Sequence, residues 1–343
     1  MIKDLRKKFM LVLFTMLTTF IFTGCGYTYI VDNARVLDKE DAKEFTIEKT
    51  AVDLIKGIDI HTRIANVQLI PSDKYYVEIN YLYWEDAPEY SLENGVLRFD
   101  DADSFPNSYS IRFNLNNYIK IYLPADAALD KINVEDAAGD IDASGFTTDD
   151  LNLSVSYGDL TLDNVTALDS DITLSSGSSS IKDFNASKMK YSNSYGNAKF
   201  TNINNSSVTL PDSKTFDNFN ASLSSGEINI KGLNSSSIDI SNSYGNVTCE
   251  EVTGDKLSAS LSSGDFDVSK SDIKDISVSD SYGDVTLNVN GTTEDYRFDL
   301  STSYGDINVD GKSYDDHVVL DHGGDRSIDA DLSSGDIDIN LSK

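Results

Sequence analysis

Over the C-terminal two-thirds of the chain, apolar and polar residues alternate strictly in short runs, each closed by a glycine. Val285, Leu287 and Val289 alternate with Asp284, Thr286 and Asn288, and the same parity recurs at Leu160 and Leu162, Phe266 and Val268, and Ile337, Ile339 and Leu341. A second alternating run precedes each glycine, as Leu257, Ala259 and Leu261 precede Gly264. Period-two alternation predicts half-buried strands with one face on a core and one in water. The closing glycines stand at 139, 158, 177, 196, 226, 245, 264, 283, 305 and 335, with spacings of 19, 19, 19, 30, 19, 19, 19, 22 and 30 residues. A fixed period of this size marks stacked units that cannot bury an apolar face alone. The expected fold is all-β, a flattened β-solenoid with two strands per coil of about 19 residues. Segments so rich in Ser, Asp, Asn and Thr make poor helices.

The residue before each glycine follows its own rule. It reads Tyr157, Ser176, Tyr195, Ser225, Tyr244, Ser263 and Tyr282, then Tyr304 out of turn, then Ser334. Two residues earlier stand Leu174, Leu223, Leu261 and Leu332 beside the serines, and Asn193, Asn242, Asp280 and Thr302 beside the tyrosines, with Val155 the exception. Parity places both positions on the inward face, so the pattern predicts volume matching between neighbouring coils, large against small. The Asn and Asp are also placed to satisfy backbone groups at the corners. The predicted ladder is Tyr157, Tyr195, Tyr244, Tyr282 and Tyr304 with Gly158, Gly196, Gly245, Gly264 and Gly283, the glycines taking corner conformations with positive φ.

From 45 to 130 the period fades and the strands lengthen. They are expected from Gly57 to His61, Asn66 to Ile70, Tyr75 to Trp84, Gly95 to Phe99 and Ile111 to Leu123, with turns such as Glu93-Asn94-Gly95 between them. Tyr75, Tyr76, Tyr81, Tyr83, Trp84 and Tyr90 read as core and strand-face packing, with an aromatic platform for a glycan or peptide as the alternative. A solenoid needs its open ends covered, and this β-rich segment is placed to be the N-terminal cap, with residues 131–343 forming the repeats.

The N-terminus sets the compartment. Lys3, Arg6, Lys7 and Lys8 precede an apolar run from Phe9 to Phe22, a signal-peptide pattern too short to span a membrane. Its end, Phe22-Thr23-Gly24-Cys25, resembles a bacterial lipoprotein signal, which implies residues 1–24 as the cleaved signal and Cys25 as the lipidated residue. Two acyl chains give stable anchoring. Residues 25–44 read as a tether or short helix. The other cysteine, Cys249, alternates with Val247 and is expected in the core.

The formal charge of −29 excludes nucleic acid and other polyphosphates as partners. No metal or cofactor is required. The one candidate is calcium, held weakly by the residues following corner glycines, Asp140, Asp159, Asp265, Asp284, Asp306 and Asp336, whose stacked carboxylates repel one another. His317 and His322, five apart, fall on opposite faces of a strand and suit no shared metal site.

The run Ile119-Lys120-Ile121-Tyr122-Leu123-Pro124, the segment Gly139-Asp140-Ile141-Asp142 and the Ser-Ser-Gly-Asp-Ile repeat at 333–337 resemble the bacterial "putative adhesin" family, a domain of unknown function built from β-strand repeats and common in cell-envelope proteins. The resemblance spans residues 45–343. It implies a non-enzymatic, extracytoplasmic lipoprotein meeting a protein or glycan at the cell surface, and the family supplies no catalytic residues. Two other classes remain open. One is an envelope sensor or accessory lipoprotein acting through a membrane partner. The other is a polysaccharide-active enzyme, against which stand the scarcity of arginine in the coils and the lack of a non-repeating acid cluster.

Overall fold

A computed structural model describes residues 35–125, 127–204 and 217–342. The expected signal segment, residues 1–24, and Cys25 lie outside the described residues. The chain divides into two units. In the smaller, Arg35–Leu37 pairs in parallel with Tyr109–Ile111. The larger comprises 43–105 and the chain from 115 onward, and holds a 24-stranded sheet. The single strand expected from Ile111 to Leu123 is therefore two, Tyr109–Ile111 in the small unit and Tyr118–Pro124 in the large one.

The large unit is the expected β-solenoid. Ile141–Tyr157, Leu160–Ser176 and Ser179–Tyr195 pair in parallel with residue i opposite residue i+19 throughout. Inward residues such as Leu160, Leu162, Ile172 and Leu174 are buried. A short middle run, Phe146 to Thr148 opposite Val165 to Ala167, also joins the ladder in each of these coils. The 30-residue interval after Gly196 is one coil plus eleven residues, and pairing resumes at Lys188 opposite Asn218. Edge-to-face rings of Tyr191, Phe200 and Phe219, with centroids 5.1 and 5.2 Å apart, fill the core at this point. Cys249 is fully buried, and burial pushes its thiol pKa up to about 12.

A corner absent from the sequence reading lies six residues after each corner glycine from Gly139 to Gly264. Gly145, Asn164, Asp183, Asn202, Gly232, Glu251 and Lys270 all have φ between 48° and 69°. This left-handed turn suits Gly, Asn and Asp. Its signal is hidden in the coils that follow Gly245 and Gly264, where Glu251 and Lys270 take the strained conformation.

Coil order in space departs from coil order in sequence at both ends. Phe266–Asp280 pairs with Arg326–Leu332, which in turn pairs with Tyr296–Thr302. Likewise Val285–Asn290 pairs with Ile337–Ser342, which pairs with Ile307–Val309. The last coil in sequence is thus threaded between the Gly283 coil and the Gly305 coil. At the other end Gly57–Thr62 lies between Ala128–Ala138 and Val96–Asp100, while Asn66–Ser72 lies between Ile141–Tyr157 and Tyr118–Pro124. Antiparallel strands close both ends. Tyr76–Tyr83 covers Tyr118–Pro124 and is covered by Lys43–Ala51; His317–Asp321 and Lys312–Tyr314 cover the outer coil at the C-terminal end. Antiparallel pairing with polar, turn-rich segments stops the stack from templating further strands.

Candidate functional site

The corner-preceding residues form one column. Tyr157 pairs with Ser176, Ser176 with Tyr195 and Tyr195 with Ser225. The column continues through hydrogen bonds from Gly226 N to Tyr244 O, Gly245 N to Ser263 O, Gly264 N to Tyr282 O, Gly283 N to Ser334 O and Gly335 N to Tyr304 O. Because the last coil is threaded inward, Ser334 lies between Tyr282 and Tyr304. The alternation that fails in sequence is therefore unbroken in space.

The inward placement of these rings is corrected by the structure. Tyr157, Tyr195, Tyr244, Tyr282 and Tyr304 are 56% to 78% exposed. Strand alternation stops at the corner, so parity no longer decides where a side chain points. The position two residues earlier does face inward, and its polar members are spent on the backbone. Asn193 Nδ2 donates to Gly177 O at 2.9 Å and Gly196 O at 3.4 Å; Asn242 Nδ2 donates to Gly226 O at 2.9 Å and Gly245 O at 2.8 Å. Thr302 Oγ1 donates to Gly335 O at 2.9 Å. One amide thus ties two successive corners together.

Two carboxyls stand where these asparagines do, and neither Oδ2 bonds to the protein: Asp136 and Asp280, 2% and 3% exposed. Burial raises both pKa values, that of Asp136 to about 7, with Asp101 and Asp140 adding repulsion. A raised carboxyl pKa makes the folded state hold a proton that the unfolded chain has lost. Stability from Asp136 is therefore full below about pH 3.8 and falls as pH rises to about 7. Asp136→Asn is expected to leave stability unchanged near pH 4 and to raise it by roughly 2–4 kcal/mol at pH 8. Urea unfolding of both proteins at the two pH values checks this. Equal midpoints at pH 8 would contradict it.

Beside the tyrosine column runs a second ladder. Asp140 Oδ1 accepts the Asp159 N–H at 2.8 Å and Asp159 Oδ1 that of Ser178 at 2.8 Å. Asn246, Asp265, Asp284 and Asp336 accept in the same way from Asp265, Asp284, Asp336 and Asp306, at 2.8–3.1 Å. Each of the candidate calcium carboxylates lies on this corner column, and backbone capping accounts for Asp and Asn there. Among the described residues no three His, Cys, Asp or Glu side chains come together as a metal site. His317 Nε2 instead lies 3.4 Å from Asp299 Oδ1 at the surface.

A cleft of about 360 Å³ is lined by His61, Asp101, Glu135 and Asp136. Apart from Asp136 Oδ2, these acids and the histidine are already engaged. Asp101 Oδ2 accepts from Thr62 Oγ1 at 3.0 Å, from Arg63 N at 2.7 Å and from Tyr81 Oη, while His61 sits between Asp59 at 3.2 Å and Glu135 at 3.3 Å. No helix among the described residues is long and apolar enough to cross a membrane.

Against known proteins, no curated sequence matches the chain. Solved structures do. A "putative adhesin" from Parabacteroides distasonis is 14% identical, covering 74% of this chain and 100% of that one at a TM-score of 0.42. A "putative lipid binding protein" from the same species is 14% identical over 90% and 100% at 0.38. A "putative adhesin" from Bacteroides fragilis is 12% identical over 89% and 99% at 0.35. The Toastrack DUF4097 family pattern matches residues 55–214 and again 172–340, nearly the whole repeat-bearing part. The chain belongs to the Toastrack DUF4097 family.

Proposed function

We propose that the chain is a non-enzymatic interaction module, an adhesin-like lipoprotein held outside the cell by a lipid on Cys25 and meeting its ligand through the tyrosine column. The carrying observation is that five large rings stand exposed in register, where packing does not require them. Exposed aromatics are the side chains from which binding surfaces draw most of their energy. The triple variant Tyr195→Ser, Tyr244→Ser and Tyr282→Ser tests this reading. Serine already occupies the intervening corners, so the fold should tolerate it with little change in Tm. Retention of cell-envelope or foreign matrix material by the full chain is expected to fall at least about tenfold. Undiminished retention by the variant would refute the role of the column, and capture of one envelope protein alone would favour a sensor. Cys25→Ala should release the protein from the membrane fraction.

A further inference from the structure

The tyrosines are not a patch but a translational array. Neighbouring coils are about 4.8 Å apart, so rings on every second coil recur at about 9.6 Å, and the five from Tyr157 to Tyr304 span about 38 Å. A protein interface concentrates its anchors in one contiguous, desolvated centre. Here Ser176, Ser225, Ser263 and Ser334 keep each ring apart from the next. Such an array calls for a linear polymer that presents the same apolar face at the same interval.

The flanking groups narrow the chemistry. Each coil has a further serine just before the column, such as Ser175, Ser224, Ser262 and Ser333, all exposed. Carboxylates of Asp140, Asp159, Asp265, Asp284, Asp336 and Asp306 follow on the other side, with one oxygen of most of them held by the next coil. Hydroxyls and carboxylate oxygens beside isolated rings suit a sugar, whose C–H face stacks on an aromatic while its rim bears hydroxyls. The same carboxylates repel uronates, sulfated chains and polyphosphates. A peptide strand repeats its same-face side chains at about 6.8 Å, out of step with the rings. An extended β-1,4-linked disaccharide repeats close to two coil spacings.

Resting on the interaction-module reading, we propose that the column binds an extended β-1,4-linked glycan without acidic substituents, laid along the stack with one disaccharide per tyrosine. Successive stacking contacts then act as linked weak sites, and affinity grows with length.

Titration of the full chain in detergent with β-1,4-linked N-acetylglucosamine oligomers of two to eight sugars tests the proposal, with β-1,4-linked oligomannuronate as the acidic counterpart. Affinity should rise by roughly tenfold or more from the tetramer to the octamer. Tyr244→Ser, which interrupts the array at its centre, should abolish most of that gain. Oligomannuronate should bind at least about tenfold more weakly at low salt. If the oligomers fail to bind a protein that still holds surface material through its tyrosines, the glycan assignment is wrong and the interaction module stands. If the triple serine variant loses nothing in either assay, both fall. Binding without length dependence, or preference for the acidic chain, also overturns the proposal.

Discussion

Gly196→Ala is expected to be the most damaging single substitution tested in the repeats, costing about 3 kcal/mol or more. Gly196 sits at φ 130°, outside the regions open to a side-chain-bearing residue, and an added Cβ would overlap the Gly177 carbonyl. That atom is backbone and is itself held by Asn193 at 2.9 Å, so it has nowhere to go. Neighbouring corners share the geometry: a Cβ at Gly177 would overlap the Gly158 carbonyl, and one at Gly226 that of Gly196. Relief at one corner would compress the next. Gly311→Ala is the control, since no atom lies within 4 Å of its Cβ position and only its φ of 78° is penalised. Urea midpoints should separate the two variants clearly. A Gly196→Ala protein as stable as the parent would mean the corners are not stacked in this register.

Truncation after Asp325 is the second large effect. Were coils stacked in sequence order, removing residues 326–343 would take off the outermost coil and leave the Gly305 coil intact. Threading predicts otherwise. The strands Tyr296–Thr302 and Ile307–Val309 meet the stack through Arg326–Leu332 and Ile337–Ser342. Removing those strands deletes the buried Ile328, Leu332, Ile337 and Ile339, each worth about 1.5–3 kcal/mol of burial, and strips the outer coil of its partner. Amide hydrogen exchange should show 296–309 losing protection to near the unfolded level, while 141–195 keeps its own. Retained protection at 296–309 would contradict the threaded order.

How much of this was legible beforehand depends on what each residue must satisfy. The 19-residue period, the strand alternation and the burial of Cys249 follow from local patterning, and local patterning is what a sequence displays. The exposure of the tyrosines was not legible, because parity holds along a strand and lapses at a corner. The left-handed turn at Asn164, Asp183 and Asn202 has a signal in its Asn and Asp, which Glu251 and Lys270 then obscure. Tyr304 is the instructive case. Its place out of turn looks like an irregularity of the repeat, yet it records a topology that no period conveys: the serine it lacks as a neighbour arrives from thirty residues downstream, on Ser334. The capping role of Asp140, Asp159, Asp265 and Asp284 was hidden for a similar reason, since the amide that each accepts belongs to the next coil.

Both termini of the stack are threaded out of order, while the interior coils from Gly139 to Gly264 stack in sequence order. Duplicating one Tyr coil together with its Ser neighbour would lengthen the interior by a full unit and leave both threaded ends untouched. Inserting a single coil would instead put two like corners side by side. A change of length by whole pairs of coils would therefore keep the Tyr and Ser corners alternating, and with them the even spacing of the rings.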